Sequence, residues 1–351
     1  MIDDEVRPGV RSTPSSGDPC HAGRVIRVGP IGAGLAVGAP TPPGLGPPPG
    51  PDLGPPPFAV LLVLLAAALG ALGLVLLRKA AESEPPSRRF SLSLLWLLIR
   101  RRPAWSLGIL AIVAGFAAQV AALDRAPVTL VQLVVVMELP FSLVLARVFL
   151  GGKLRRRDWL AVALMTVGTG VVSVLLRPGG GDPARATAWA WILGLLVTAA
   201  GTVALLVVGH RRGGVTRTVL HGTAAGVATG LTAVLVKAVT PSLAGGIVAV
   251  ATTWQTWVLL GVSIAGFLLL QNAVQAGRLV ASQPGITLAN PIVAGLWGVG
   301  VLGEHVRGGV WLIGAALGAA VMAGGAVLLS RSPLLGGHTE AGHPHAVPGI
   351  A

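Results

Sequence analysis

The side chains that could do chemistry in this sequence lie inside apolar runs. Glu138 sits near the middle of the run Pro127–Leu150, two residues before Pro140. A carboxylate facing lipid at that depth would cost about 3 kcal/mol on insertion scales, so it is expected to face the interior of a helix bundle. There it is either a cation or proton site, or an acid hydrogen-bonded to a neighbouring helix. Around it stand Gln119, Gln132, Gln271, Asn272, Gln275, Gln283 and Asn290. Amides donate and accept hydrogen bonds without carrying charge, which suits an uncharged or zwitterionic solute. Each alone could equally be glue between helices. Together they make an interior more polar than a structural bundle needs. The expected site is a solute cavity bounded by Glu138, Gln132, Gln283 and Asn290, with Gln119 and Gln271 near its mouth and Asn272 a further candidate binding residue. Pro140 and Pro291, each well inside a run, remove a backbone donor and should kink or loosen both helices. Asp124 and Arg125 fall at a tight turn, and Glu304 and His305 read as boundary residues at the end of a span.

Several other chemistries are excluded. No nucleophile–base arrangement or phosphate-binding glycine loop is present, so neither an enzyme nor a cofactor is expected. The single cysteine, Cys20, permits no intrachain disulfide, and nothing resembles a Cys/His metal motif. His338, His343 and His345 lie in a Gly- and Pro-rich tail and read as solvated.

The elements that must hold these groups are membrane helices. Hydrophobic residues make up 53% of the 351 residues and charged ones only 11%, too few to cover a soluble surface. The mean hydropathy is +0.78. Apolar runs of about 20 residues match the thickness of a hydrocarbon core. They predict an all-α polytopic membrane protein with about nine spans: Phe58–Leu77, Ala104–Leu123, Pro127–Leu150, Trp159–Leu176, Trp189–Val208, Val219–Val236, Trp257–Ala276, Leu279–Leu302 and Val310–Leu329. Ser91–Ile99 is too short to cross and reads as an interfacial segment. Residues 1–57 and 331–351 read as disordered tails. A downstream start codon would account for the first tail equally well. The net charge of +13 does not mark a nucleic-acid binder, because the basic residues are spread between apolar runs.

Loop charge sets an orientation. Arg78, Lys79, Arg88, Arg89, Arg100–Arg102, Lys153, Arg155–Arg157, Arg211, Arg212, Arg217, Arg278 and Arg331 fall on one set of alternate loops. The other set, leaving out the long N-terminal tail, holds only Arg125, Arg177, Arg185, Lys237 and Arg307. The first set, and with it the C-terminus, is expected in the cytoplasm of a cell whose plasma membrane the chain spans. Gly222, Gly226 and Gly230, and again Gly314 and Gly318, recur every four residues, which favours close helix packing.

The chain also contains a repeat. Ala114-Gly115-Phe116, Gln132, Pro140, Leu150-Gly151 and Trp159 match Ala265-Gly266-Phe267, Gln283, Pro291, Leu302-Gly303 and Trp311 at an offset of 151, then 152. The halves are residues 58–177 and 218–330, with a linking span in 187–209. Equivalent helices are five spans apart and so cross in opposite directions, the inverted-topology arrangement of many secondary transporters. A channel or a non-transporting scaffold is the alternative. The expected partners are the lipid bilayer and a small-molecule or ion substrate, and a homo-oligomer is left open.

Ala122-Leu123-Asp124-Arg125-Ala126-Pro127, Leu150-Gly151-Gly152-Lys153-Leu154 and the span from Trp159 resemble the first half of a drug/metabolite transporter. Asn290-Pro291 and Leu302-Gly303-Glu304 resemble a second EamA-type repeat of that superfamily. The odd span count and the Lys237-Ala238 ending are most similar to its NIPA-type, magnesium-transporter-like branch. The resemblance spans roughly residues 58–330. It implies transport of Mg2+, or of amino acids, amines or other metabolites. Gly152 stands where the Gly-Glu motif has its acid, so a role for that glutamate carries over only to Glu304.

Overall fold

A computed structural model of the chain describes residues 57–82, 103–151, 154–275 and 279–330. The interfacial segment expected at Ser91–Ile99, both tails, Cys20 and the three terminal histidines lie outside the described residues.

The described chain is almost entirely helical. The helices are α1 (Pro57–Glu82), α2 (Pro103–Arg125), α3 (Val128–Val135), α4 (Glu138–Leu150), α5 (Arg156–Leu176), α6 (Ala188–Arg212) and α7 (Gly214–Val239). A 3-10 turn (Thr240–Gly245) and the short α8 (Gly246–Thr252) follow, then α9 (Trp254–Gln275), α10 (Leu279–Gly300) and α11 (Val310–Ser330). Eight helical segments are long and apolar enough to cross a membrane, with α3 and α4 together making one of them. The 22-residue α10, which carries Pro284 and Pro291, is a further long helix and packs most extensively on α7. The chain is thus an all-α polytopic membrane protein. Local chemistry punctuates the spans as expected. The Asp158 carboxylate accepts from the Arg155 amide at 2.8 Å to start α5, and the Thr187 hydroxyl accepts from the Ala190 amide to start α6. Gly213, at φ 67°, makes the sharp turn between α6 and α7 that a side chain would resist.

The contact pattern of the first half recurs in the second. α1 packs on α2 and on the broken pair α3–α4, while α7 packs on α9 and α10. Gly115 of α2 lies against Ala66 and Gly70 of α1, and its counterpart Gly266 of α9 lies against Ala228 of α7. Gly151 and Gly303, which follow the third span of each half, share the left-handed conformation at φ 69° and 72°. Across the halves, α5 packs on α11 and α3 on α10.

Two local contacts show that equivalent helices run in opposite directions. Gly179–Gly180 (β1), just after α5, pairs antiparallel with Glu304–His305 (β2), just before α11. The end of α5 therefore lies beside the start of α11. Likewise Glu304, just after α10, bonds the first residues of α3. The turns at 124–127, 177–187, 237–240 and 301–309 meet at one end of the bundle, on the arginine-poor side of the sequence.

Missing side chains allow the closest approaches. A Cβ on Gly222, Gly226 or Gly230 would come within 2.5–2.7 Å of the carbonyl oxygens of Ser282, Ile286 and Asn290. One glycine face of α7 thus lies directly on the α10 backbone. Gly168 and Gly325 do the same at the α5–α11 contact, where a Cβ would meet backbone of the partner helix, while Gly318 abuts the Val171 and Val172 side chains there. In lipid, where apolar burial gives helices little reason to associate, such approaches supply the dispersion contact that holds them.

Candidate functional site

The third span is where the backbone yields. Pro140 has no N–H to give to the Val136 carbonyl one turn earlier. The helix therefore divides at Val136 and Met137: Met137 N donates to Val134 O at 2.9 Å and Leu139 N to Val136 O at 3.3 Å, both three residues back. Regular bonding resumes with Phe141 N to Met137 O at 3.0 Å. Glu138 is the first residue of the new helix, α4. The other proline behaves differently. α10 continues through Pro291, its backbone laid against the three glycines of α7, so of the two interruptions expected from proline the structure has the one before Pro140.

Glu138 turns inward, as the cost of lipid exposure requires. Its carboxyl group lies over Gly70 of α1, where a Cβ would stand 3.0 Å from Oε1. Gln132 is 1% exposed, and its Nε2 is buried without a partner. Asn290 is partly buried, and its Oδ1 is buried without a partner. An unpaired buried amide forfeits its hydration with no return, so each is a standing demand for a ligand or a water. The two belong to helices in contact, α3 and α10, whose antiparallel register is fixed by Thr129 lying against Gly295 and Gly298. At about 1.5 Å per residue, Gln132 lies about 5 Å deeper than Thr129, Asn290 about 8–12 Å deeper and Glu138 about 14 Å deeper. Gln132 and Asn290 thus lie on two helices that meet across the halves, while Glu138 lies deeper along its span, against α1.

The remaining expected residues are less concentrated. Gln119 on α2 and Gln283 on α10 are partly buried. Gln271 and Asn272 are exposed in the last turns of α9, apart from the buried set.

Reading the sequence alone missed a second polar centre. Glu304 does follow the end of its span, but its side chain is fully buried, and Lys237 beside it is 8% exposed. The Glu304 carboxylate accepts from Val128 N at 2.5 Å, Thr129 N at 3.1 Å and the Thr129 hydroxyl at 2.6 Å. Lys237 Nζ donates to Ala126 O at 2.5 Å and stands 4.0 Å from Glu304 Oε1. A negative group thus closes the N-terminus of α3 and a positive one the C-terminus of α2, each matching the helix dipole and the unpaired backbone groups there. Gly298 and Gly181 make room for the acid, since a Cβ on either would collide with the Glu304 side chain. The available signals were the acid directly after Leu302-Gly303, the lysine closing the apolar second half of its helix, and Thr129 two residues after a proline. Asp124 and Arg125 pair at 3.4 Å on the surface nearby.

Two oppositely directed sets of membrane helices, with an unpaired buried amide on a helix of each set, make a polytopic protein whose architecture is one that many transporters use. The family model for the magnesium transporter NIPA matches residues 98–275. An uncharacterized protein of Corynebacterium glutamicum is 30% identical over 276 residues, covering 78% of this chain and 95% of that protein. The chain belongs to the NIPA magnesium-transporter family. No solved structure matches it.

Proposed function

We propose that this protein is a secondary transporter that carries a small solute across the cytoplasmic membrane by alternating access of its two halves. Mg2+ is the leading substrate by family; an amino acid, amine or other small metabolite is the other class. The observation that carries the reading is that Gln132 of α3 and Asn290 of α10, two oppositely directed helices in contact, each leave a buried polar atom unpaired. Glu138 lies further along the same span at the break, where loosened backbone can line a wet cavity. Among the described residues no three of His, Cys, Asp and Glu gather. A magnesium ion would then keep most of its water, with Glu138 balancing charge and the amides ordering the hydration shell. Gln283, Gln119, Gln271 and Asn272 would line the approach. The arginine-rich loops and the C-terminus face the cytoplasm in this reading.

Reconstituted vesicles loaded with Mg2+ or a metabolite panel test it. Saturable uptake that is accelerated by the same solute on the far side supports alternating access. Flux without saturation or such acceleration would make the protein a channel, and no flux of any solute would leave a scaffold.

A further inference from the structure

We infer that Lys237 and Glu304 are the latch of a gate that closes the arginine-poor end of the pathway, a positioning pair for transport. The inference rests on the alternating-access reading above. Both residues come from the second half and grip the first: Lys237 holds the Ala126 carbonyl that ends α2, and Glu304 holds both amides and the hydroxyl that begin α3. The segment they grip leads, within three to four residues, to Gln132. Two further bonds tie the same end shut, Asp182 N to Leu302 O at 3.0 Å and Arg307 N to Leu176 O at 2.8 Å. Glu304 sits on the short β2 connection rather than in a helix, so it can leave α3 without unwinding a span.

Among the described residues, the paired acid and lysine lie at one end of the bundle. By the repeat, the position matching Glu304 in the first half is Gly152, which has no acid to offer. Lys79, which like Lys237 lies near the end of the first helix of its half, stands 5.8 Å from the centre of the Phe149 ring. Closure at the arginine-poor end is thus reinforced by charge where its symmetry-related counterpart lacks the carboxylate. Opening that end must free the α3 N-terminus from Glu304 and the α2 C-terminus from Lys237. The resting protein therefore favours the state closed at this end, and substrate must supply the differential binding that releases it.

The test places a reporter cysteine at Ala294, a buried α10 residue in the same core as Val131, in a Cys20→Ala background. An impermeant maleimide is applied separately from each side of the membrane. Glu304→Gln and Gly298→Ala should raise labelling from the latch side roughly ten- to a hundredfold, because each removes charge-assisted bonds or evicts the acid. Thr129→Val, nearly isosteric and the variant most certain to fold, should raise it severalfold. Labelling at the parent rate in every variant that remains folded, Thr129→Val included, overturns the latch. In a second arm, Thr129→Cys and Gly295→Cys are joined by oxidation; a Cβ on Gly295 would lie 3.6 Å from Thr129 Cγ2. Uptake should stop on oxidation and return on reduction, and uptake that persists through complete cross-linking overturns the proposal. Labelling needs no substrate, so the two readings fail separately. Vesicles that carry nothing while the variants still open would refute transport alone.

Discussion

Gly226→Ala tests whether the α7–α10 contact is as close as the structure places it. The added Cβ would lie 2.5 Å from Ile286 O, 2.8 Å from Ala289 Cβ and 2.9 Å from Ile286 Cα, where ordinary contact begins at 3.4 Å. Two of those three atoms are backbone in the middle of a helix and cannot swing aside. The helices must instead part by several tenths of an ångström along their largest shared face, and overpacking of this kind costs about 1–3 kcal/mol. Alanine returns up to about 1 kcal/mol through helix propensity, so the single variant understates the clash. Gly261→Ala supplies the reference, since Gly261 lies in α9 with open space around its missing side chain. The propensity gain cancels between the two, leaving Gly226→Ala less stable than Gly261→Ala by about 1–3 kcal/mol. Reversible unfolding in mixed micelles, followed by tryptophan fluorescence, measures the difference. Equal stabilities within about 0.5 kcal/mol would refute the direct glycine-to-backbone approach.

Three further outcomes are expected. Glu138→Gln keeps shape and most hydrogen bonding but cannot ionise, so expression should hold while coupled transport is lost; unchanged proton or cation dependence of uptake would return the residue to a structural role. Single cysteines within 155–157 and 211–217 in a Cys20→Ala background should react with an impermeant maleimide only after permeabilisation, and labelling of intact cells at both would reverse the proposed orientation. Gly168→Leu drives a side chain into Met322 and the Gly318 carbonyl at the α5–α11 contact, and should abolish the folded monodisperse protein on size exclusion; a normal profile would show that this contact between the halves is not close.

The spans were legible because a single strong term, the transfer of apolar side chains into lipid, sets their length and place. The expected Phe58–Leu77 and the observed α1, and most later pairs, differ by a few residues at their ends; the exception is Pro127–Leu150, which divides into α3 and α4. The repeat was legible for a related reason: Gly115, Gly151 and their mates are fixed by backbone demands that no other residue meets as well. What stayed hidden depended on three-dimensional pairing. Lys237 carries a charge that, read along the chain, belongs at a membrane surface, and Glu304 lies 67 positions further on. Only the fold brings both to Ala126–Thr129, where two helix ends present the complementary partial charges. The split at Val136 rather than at Pro140 was hidden too, because proline disturbs the turn before itself, and the position of the break depends on which carbonyl finds another donor. The 3-10 turn and α8 at 240–252 had no strong periodic signal to announce them.

The two halves share a scaffold but not its polar equipment, and that difference bears on direction. Counting by the repeat, Glu138 corresponds to Ala289, and the structure puts both in the same kind of slot: Glu138 over Gly70 of α1, Ala289 against Gly226 of α7. In one half the space left by a glycine admits a carboxyl group; in the other a methyl group fills it. The acid that latches the bundle end shows the reverse bias, present as Glu304 in the second half and replaced by Gly152 in the first. A perfectly symmetric pair of repeats would close equally well at either end and would carry its acids in matched pairs. Here one carboxylate lies deep in the first half and the other seals one end from the second. In the alternating-access reading proposed above, such a distribution would make the two access states unequal in energy before any solute binds. It would make displacement of Glu304 from α3, not a rearrangement at Glu138, the step whose loss should most change how readily that end opens.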